Sequence, residues 1–146
     1  MRCWFLPMLM IALLVALATA ASAADPQFVT VEAAHNQAKN GKIMLVDVRS
    51  EREWHKTGVP QNSKMITIHN PGGIEAFVEE VTTAVKGDKT KPLALICAAG
   101  VRSTIAIKAL RRAGFSNLTN VREGMLGNAT DGPGWLKKKL PVRTVE

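Results

Sequence analysis

Hydrophobic and polar positions follow two different periods along the chain. Short apolar runs predict strands, whereas segments with apolar residues three or four positions apart predict helices. The predicted strands are 42–49, 64–68, 93–96 and 117–121. The predicted helices are 31–39, 50–54, 74–85 and 103–113. Alternating strands and helices indicate an α/β domain in which helices cover both faces of a parallel sheet.

Polar residues that can cap helices support some of these boundaries. Thr30 precedes the first predicted helix, and Ser50 and Glu53 have the spacing of a capping box for the second. Ser103 is expected to cap the helix that follows the third apolar run. Residues 25–28 carry no such pattern and are expected to form a loose lead-in.

The N-terminal segment has the features of a secretory signal peptide. Arg2 is followed by the uncharged run 3–24, and Ala21-Ser22-Ala23 forms an A-x-A cleavage site. We therefore predict a signal peptide at 1–23 and a single domain at 24–146, which is periplasmic or secreted. A retained membrane anchor is the alternative, because the run is nearly long enough to span a bilayer. Its small and polar end favours cleavage, after which no stable membrane span is expected.

The chain is basic, with 19 Lys and Arg residues against 12 Asp and Glu residues and a formal net charge of +7. Such a charge is compatible with nucleic acid, membrane or anionic small-molecule partners. The basic residues are scattered apart from Lys137-Lys138-Lys139, and aromatic residues are not interleaved with them. We therefore predict a solvated surface that suits an anionic substrate, and no nucleic-acid partner.

The number of cysteines limits the chemistry that the mature chain can carry out. Cys3 would leave with the signal peptide, so Cys97 would be the single cysteine of the mature chain and could form no internal disulfide. An unpaired thiol in an oxidising compartment is either buried and inert or used chemically. A loop containing Gly100 and Arg102 follows Cys97, and this loop favours chemical use.

Cys97 is predicted to lie where a buried strand ends and a helix begins. At such a junction, loop N–H groups and the positive end of the helix dipole converge, which favours a thiolate. Small residues let the backbone curl around a sulfur atom, and they follow here as Ala98, Ala99 and Gly100. Arg102 adds a fixed cation. The sequence therefore predicts a nucleophilic cysteine at the carboxyl edge of the sheet, where α/β folds bind ligands.

Three segments, in order along the chain, resemble the rhodanese (sulfurtransferase) family. The strand Leu45–Arg49 and the later Gly58-Val59-Pro60 are similar to the family's D-x-R strand and G-H-I-P segment. The segment Cys97–Ser103 resembles its C-x-x-G-x-R-S active-site loop, and Ala109–Gly124 resembles its G-F-x-N helix-strand unit and glycine motif. The resemblance implies a rhodanese-like domain with a central parallel sheet of about five strands.

The resemblance also implies a two-step transfer of sulfane sulfur. Cys97 would attack thiosulfate or a thiosulfonate, form a persulfide and pass the sulfur to cyanide, a thiol or a protein acceptor. Asp47 and Arg49 are expected to order the loops through charge-assisted bonds. No cofactor and no metal are implied. The substrate would be bound by the residues after the cysteine, namely Ala98, Ala99, Gly100, Val101, Arg102 and Ser103.

Some positions leave the substrate open. Ala98 stands where many family members carry arginine, which removes a possible anion-binding charge. For Arg102, loop support and ligand contact are equally open roles. His69 follows a predicted strand and is a candidate pocket residue without an evident partner, and no two histidines have metal-ligand spacing.

Two other functions compete with an enzymatic sulfurtransferase. A non-enzymatic sulfane-sulfur carrier would have the same loop and hand its persulfide to a partner protein. A cysteine phosphatase or arsenate reductase is the weaker alternative. Those enzymes place one residue more between cysteine and arginine than the four found here, Ala98 to Val101. The shorter loop suits a sulfur atom better than a tetrahedral phosphate.

Overall fold

The computed structural model describes residues 27–146, so the predicted signal peptide lies outside the described residues. The helices described there are α1 (Val31–Lys39), α2 (Glu51–Thr57), α3 (Gly73–Ala84) and α4 (Val101–Arg112). The strands are β1 (Gln27–Phe28), β2 (Met44–Asp47), β3 (Val59–Pro60), β4 (Ser63–Met65), β5 (Leu93–Ile96), β6 (Leu118–Val121), β7 (Gly127–Asn128), β8 (Gly132–Pro133) and β9 (Val142–Arg143).

A central sheet of five parallel strands organises this part of the chain, in the order β1-β6-β5-β2-β4. Successive residues of its strands point to opposite faces. On one face Val46 and Leu95 pack in an apolar cluster with residues of α3 and α4. On the other face Leu45 and Ile96 pack with residues of α1 and with Trp135. Helices therefore cover both faces, and the predicted fold class is confirmed.

Two short antiparallel pairs, β3 with β9 and β7 with β8, lie outside the central sheet. The first ties the end of the chain to the segment after α2. The second closes the segment after β6. None of the helices between residues 27 and 146 is both long enough and apolar enough to cross a bilayer.

The caps predicted for the first two helices are present. Thr30 Oγ1 accepts a hydrogen bond from the backbone nitrogen of Ala33 at 3.2 Å in front of α1. The backbone nitrogen of Ser50 donates to Glu53 Oε2 at 3.1 Å in front of α2, as a capping box requires.

The cap predicted for α4 is wrong. The helix begins at Val101, two residues before Ser103, and Gly100 occupies the N-cap. Gly100 has a φ of 93°, which is a left-handed conformation. Glycine adopts it at no steric cost, so the chain turns directly from the loop after β5 into the helix.

The predicted loose lead-in is also wrong for Gln27 and Phe28, which form β1 beside β6. Both side chains are exposed, so no apolar pattern marks this strand. It forms because its backbone pairs with the open edge of the sheet. The strand predicted at 64–68 is β4 at Ser63–Met65, because the chain leaves the sheet after Met65.

Candidate active site

Cys97 directly follows β5, whose neighbours in the sheet are β2 and β6. Its side chain lies on the α3 and α4 face and is only 1% exposed. The helix α4 begins four residues later. The cysteine therefore lies at the carboxyl end of a central strand and below the N-terminus of a helix, as predicted.

The loop after Cys97 places an amide and a hydroxyl beside the sulfur. The backbone nitrogen of Gly100 donates to Cys97 Sγ at 3.1 Å. Ser103 Oγ lies 3.4 Å from Sγ and also donates to the Gly100 carbonyl oxygen at 3.0 Å. The Gly100 amide at this distance stabilises negative charge on sulfur. The Ser103 hydroxyl can do the same only by turning its single proton from the Gly100 carbonyl oxygen to the sulfur.

Gly100 is required at its position for two reasons. Its left-handed backbone aims the N–H group at the sulfur. A Cβ atom there would lie 2.6 Å from the carbonyl oxygen of Arg122, which is closer than real side chains come. The sequence identified this glycine from its family motif, but the contact with Arg122 needs the folded chain.

The segment after β6 supports the Cys97 loop from the side of its carbonyl groups. Met125 N donates to the Cys97 carbonyl oxygen at 2.8 Å, and Leu126 N donates to that of Ala98 at 2.9 Å. Asn128 Nδ2 lies 3.4 Å from the carbonyl oxygen of Ala99, to which it donates. The three carbonyl groups are thus engaged by this segment. Sequence reasoning missed these supporting residues because two of them act through their backbone.

Arg102 is held by Glu53 in a two-pronged ion pair. The Arg102 Nη1 to Glu53 Oε2 distance is 2.6 Å and the Nη2 to Oε1 distance is 2.7 Å. Hydrogen bonding to Arg102 lowers the pKa of the Glu53 carboxyl from its usual 4.5 to about 2. The Arg102 pKa is raised, mainly by the hydrogen bond to Glu53 and less by negative charge on Cys97. The cation is therefore fixed near the sulfur.

The role of Glu53 at the site was missed by the sequence analysis, which assigned it to the capping box. It serves both places, because Glu53 Oε2 accepts from Ser50 Oγ at 2.7 Å as well as from Arg102. His69 joins the same group, with its Nε2 at 3.4 Å from Arg102 Nη1. The sequence alone did not reveal this role, because the acid on α2 reaches the Cys97 loop only when β2 pairs with β5.

Acid is expected to weaken the protein through Glu53. Its pKa is lowered in the folded chain, so its stabilising contribution is complete above about pH 4.5 and is lost as the pH falls toward 2. The pair is about a quarter exposed, so we expect about 1–2 kcal/mol rather than the full shift. Urea unfolding at pH 7, 5 and 3 measures it. The Glu53→Gln variant should be less stable at pH 7 and lose less than wild type on acidification. Parallel curves for the two proteins would contradict the assignment.

Asp47 and Arg49 form a buried ion pair behind the loop. The Arg49 Nη2 to Asp47 Oδ2 distance is 2.7 Å, and the two side chains are 2% and 0% exposed. Arg49 also donates to the carbonyl oxygen of Gly58 at 2.7 Å and to Thr57 Oγ1 at 2.8 Å. These bonds tie β2 to the end of α2. The predicted ordering role of the pair stays a prediction that this geometry makes testable.

The remaining predicted binding residues differ in exposure. Ala98 is half-buried and Ala99 is exposed. Val101 is 70% exposed and lies one helical turn from Ile105, which is 50% exposed. The Val101 side chain therefore belongs to the outer surface of the loop and not to the surroundings of Sγ. Between residues 27 and 146, no three His, Cys, Asp or Glu side chains gather in a way that could hold a metal ion.

The fold and the site together define a parallel α/β domain that presents one cysteine, faced by an amide and a hydroxyl, at the carboxyl end of a central strand. The family model of the rhodanese-like domain matches residues 30–129, and the chain belongs to that family. The resemblance seen in the sequence is thereby confirmed.

Relatives agree with this assignment. An uncharacterized protein of Rickettsia conorii is 31% identical over 104 residues, which are 70% of this chain and 84% of that protein. The structure of the polysulfide-sulfur transferase homodimer of Wolinella succinogenes has a TM-score of 0.59 and 28% identity, and the match covers 84% of this chain and 82% of that one. A single-domain sulfurtransferase of Saccharomyces cerevisiae has a TM-score of 0.58 and 25% identity over 80% of this chain and 94% of its own.

Proposed function

We propose that the protein is a sulfurtransferase that carries sulfane sulfur on Cys97, from a small anion such as thiosulfate or a thiosulfonate to a thiol or cyanide. One observation carries the proposal: the Gly100 N–H group and the Ser103 hydroxyl lie 3.1 and 3.4 Å from Cys97 Sγ. The N–H group so placed favours the thiolate that attacks, and the hydroxyl can add a second donor once it turns from the Gly100 carbonyl oxygen to the sulfur. The likeness to sulfurtransferases of Wolinella succinogenes and Saccharomyces cerevisiae supports it.

The two steps balance in atoms and electrons. In the first, the Cys97 thiolate attacks the outer sulfur of thiosulfate, the donor S–S bond breaks, and sulfite leaves with the electron pair. In the second, cyanide or a thiolate attacks the outer sulfur of the persulfide, and the Cys97 thiolate is regenerated as thiocyanate or a new persulfide leaves. The Arg102 guanidinium interacts with charge on Cys97, although its ion pair with Glu53 offsets much of its own positive charge.

The burial of Cys97 bears on which donors it accepts. Only 1% of the residue is exposed, so neighbouring side chains must move before a donor reaches Sγ. A small anion requires less movement than a bulky one. Thiosulfate and thiosulfonates meet this condition.

Intact mass spectrometry tests the proposal directly. After treatment with thiosulfate, the wild-type protein should gain one sulfur atom, about 32 Da, because the thiolate can accept it. Cyanide should remove the added mass. The Cys97→Ser variant, which differs by one atom, serves as the matched control and should gain nothing. The proposal fails if no sulfane donor adds mass to the wild type, or if Cys97→Ser gains it equally.

A sulfur carrier that hands its persulfide to a protein is the second candidate. Burial of Cys97 would protect the persulfide from free thiols. Exposed apolar side chains near the loop favour a protein acceptor, and they are Val101, Ile105 and Leu126. Stable loading with slow turnover on thiosulfate and cyanide would favour the carrier, whereas rapid turnover would favour the enzyme. Hydrolysis of an aryl phosphate would instead support the phosphatase alternative.

We also propose that the protein is exported to the periplasm or secreted after cleavage of the signal peptide at 1–23. The uncharged run 3–24 and its A-x-A end support this. The intact mass of protein purified from its native cells would then correspond to a chain beginning at Ala24. A mass that includes residues 1–23 would favour the retained anchor.

A further inference from the structure

A cleft lies at the end of the sheet opposite Cys97. It is formed where the chain enters β2 and β5 and beside β4 and β9, and its volume is about 700 Å³. Small-molecule sites in proteins have volumes of about 300–1,000 Å³. The cleft is therefore large enough for a ligand, and none of the residues around Cys97 contributes to it.

The cleft is positively charged. Its charged lining residues are all basic, namely Lys42, Lys64, Lys91 and Arg143. None of the four has a carboxylate within ion-pair distance among the residues that the structure describes, although other basic residues there do. Four like charges around one space repel each other, so an anion bound between them would be favoured.

Two nearby features reduce the positive charge without cancelling it. The first is Asp88, whose carboxyl pKa is lowered mainly by hydrogen bonds from Thr90 and more weakly by the positive charge of Lys91. It offsets one cation at most. The second is the C-terminal end of α1, which precedes Gly41 of the cleft lining. The C-terminal end of a helix carries about half an elementary negative charge. A clear excess of positive charge remains.

Part of the cleft is preformed. Arg143 is on β9, which pairs with β3, and its Nη2 donates to the carbonyl oxygen of Ser63 at 3.1 Å. The guanidinium is thus positioned at one wall with other N–H groups to offer. The lysines are exposed, flexible point charges that can adjust to a ligand.

We propose that this cleft binds a ligand that carries several phosphate groups close together, either as a free oligophosphate or as the headgroups of anionic phospholipid. A fixed guanidinium beside mobile ammonium groups is suited to phosphoryl oxygens. A singly charged anion would leave most of the positive charge uncompensated, so the ligand is multiply charged. The site is independent of the sulfur chemistry at Cys97.

Binding of two probes tests the proposal and separates the two sources. The full chain is titrated at low salt with tripolyphosphate by calorimetry, and with vesicles of phosphatidylcholine with and without phosphatidylglycerol by sedimentation. The cleft variant is Lys42→Gln, Lys64→Gln, Lys91→Gln. The control variant is Lys39→Gln, Lys56→Gln, Lys137→Gln, which removes the same charge from exposed positions outside the cleft. Every protein carries the same residues 1–26, so differences between them report the cleft.

We expect the cleft variant to bind at least about tenfold more weakly than wild type, and the control variant to stay within about twofold. Cleft-dependent binding of tripolyphosphate identifies a free oligophosphate, and cleft-dependent binding of phosphatidylglycerol vesicles alone identifies a lipid headgroup. Equal weakening in both variants means that only net charge acts, and this overturns the proposal, as does failure of the wild type to bind either probe. If the triple cleft variant does not fold, Lys64→Gln compared with Lys137→Gln answers the same question.

Discussion

Replacement of Asp47 by alanine is expected to lower the free energy of unfolding by about 3–5 kcal/mol. Asp47 is fully buried, and both its carboxylate oxygens accept hydrogen bonds from Arg49. Arg49 is itself 1% exposed, so the variant would leave a guanidinium charge in the interior with only Thr57 and Gly58 as partners. Urea unfolding at pH 7, followed by circular dichroism, measures the loss.

Asp131→Ala is the matched control, because it removes the partner of an exposed arginine. The Arg122 to Asp131 distance is 3.2 Å, and the two side chains are 39% and 22% exposed. Exposed pairs contribute about 0–1 kcal/mol, so this variant should be almost as stable as wild type. The double variant Asp47→Leu, Arg49→Met should recover part of the loss, since it leaves no buried charge. A cost for Asp47→Ala no larger than that for Asp131→Ala would show that Arg49 finds other compensation.

The sequence predicts where the site lies in the fold more fully than it predicts the contacts within the site. The apolar run ending at Ile96 places Cys97 at the carboxyl end of a strand, and the period of the next segment predicts α4. Both features are local in sequence, so their patterns are visible before folding. The exact start of α4 is not, because the left-handed turn at Gly100 competes with a cap at Ser103 and prevails.

What could not be predicted depends on contacts between distant residues. Glu53 and Arg102 are 49 positions apart, and only the parallel pairing of β2 with β5 brings them together. The strand at Gln27 and Phe28 has no pattern of its own, since its side chains are exposed and its partner is far along the chain. Backbone donors such as that of Met125 leave no signature at all, because any residue other than proline supplies the same N–H group.

Two separate segments of the chain hold the Cys97 loop and surround its sulfur. The segment after β6 donates to the loop carbonyl groups of Cys97 and Ala98, and the start of α4 supplies the Gly100 amide and the Ser103 hydroxyl beside Sγ. Displacing the supporting segment should therefore disturb the sulfur environment without replacing Cys97 or a residue whose polar group faces Sγ. Gly124 is the position where this can be done.

Gly124→Ala is expected to destabilise the protein by about 3–5 kcal/mol and to slow sulfur loading of Cys97 about 100-fold. The φ angle at Gly124 is 66°, and a Cβ there would lie 2.6 Å from the carbonyl carbon of Ala98 and 2.7 Å from the carbonyl oxygen of Cys97. The added Cβ atom clashes with backbone atoms of Cys97 and Ala98, so no side-chain rotation relieves the contact. The loop and its support must separate, which breaks the hydrogen bond from Met125 N to the Cys97 carbonyl oxygen.

Gly41→Ala separates this clash from the cost of a left-handed alanine. Gly41 has a φ of 68°, close to that of Gly124, but among the described residues none apart from its two chain neighbours lies within 4 Å of the position that an alanine methyl group would take there. Its variant should lose about 1 kcal/mol and load sulfur at the wild-type rate, since left-handed strain is partly offset by a stiffer unfolded chain. Unfolding free energies and the rate of mass gain with thiosulfate measure both variants. Similar losses in the two would mean that backbone conformation, and not the contact beneath the Cys97 loop, makes glycine necessary at 124.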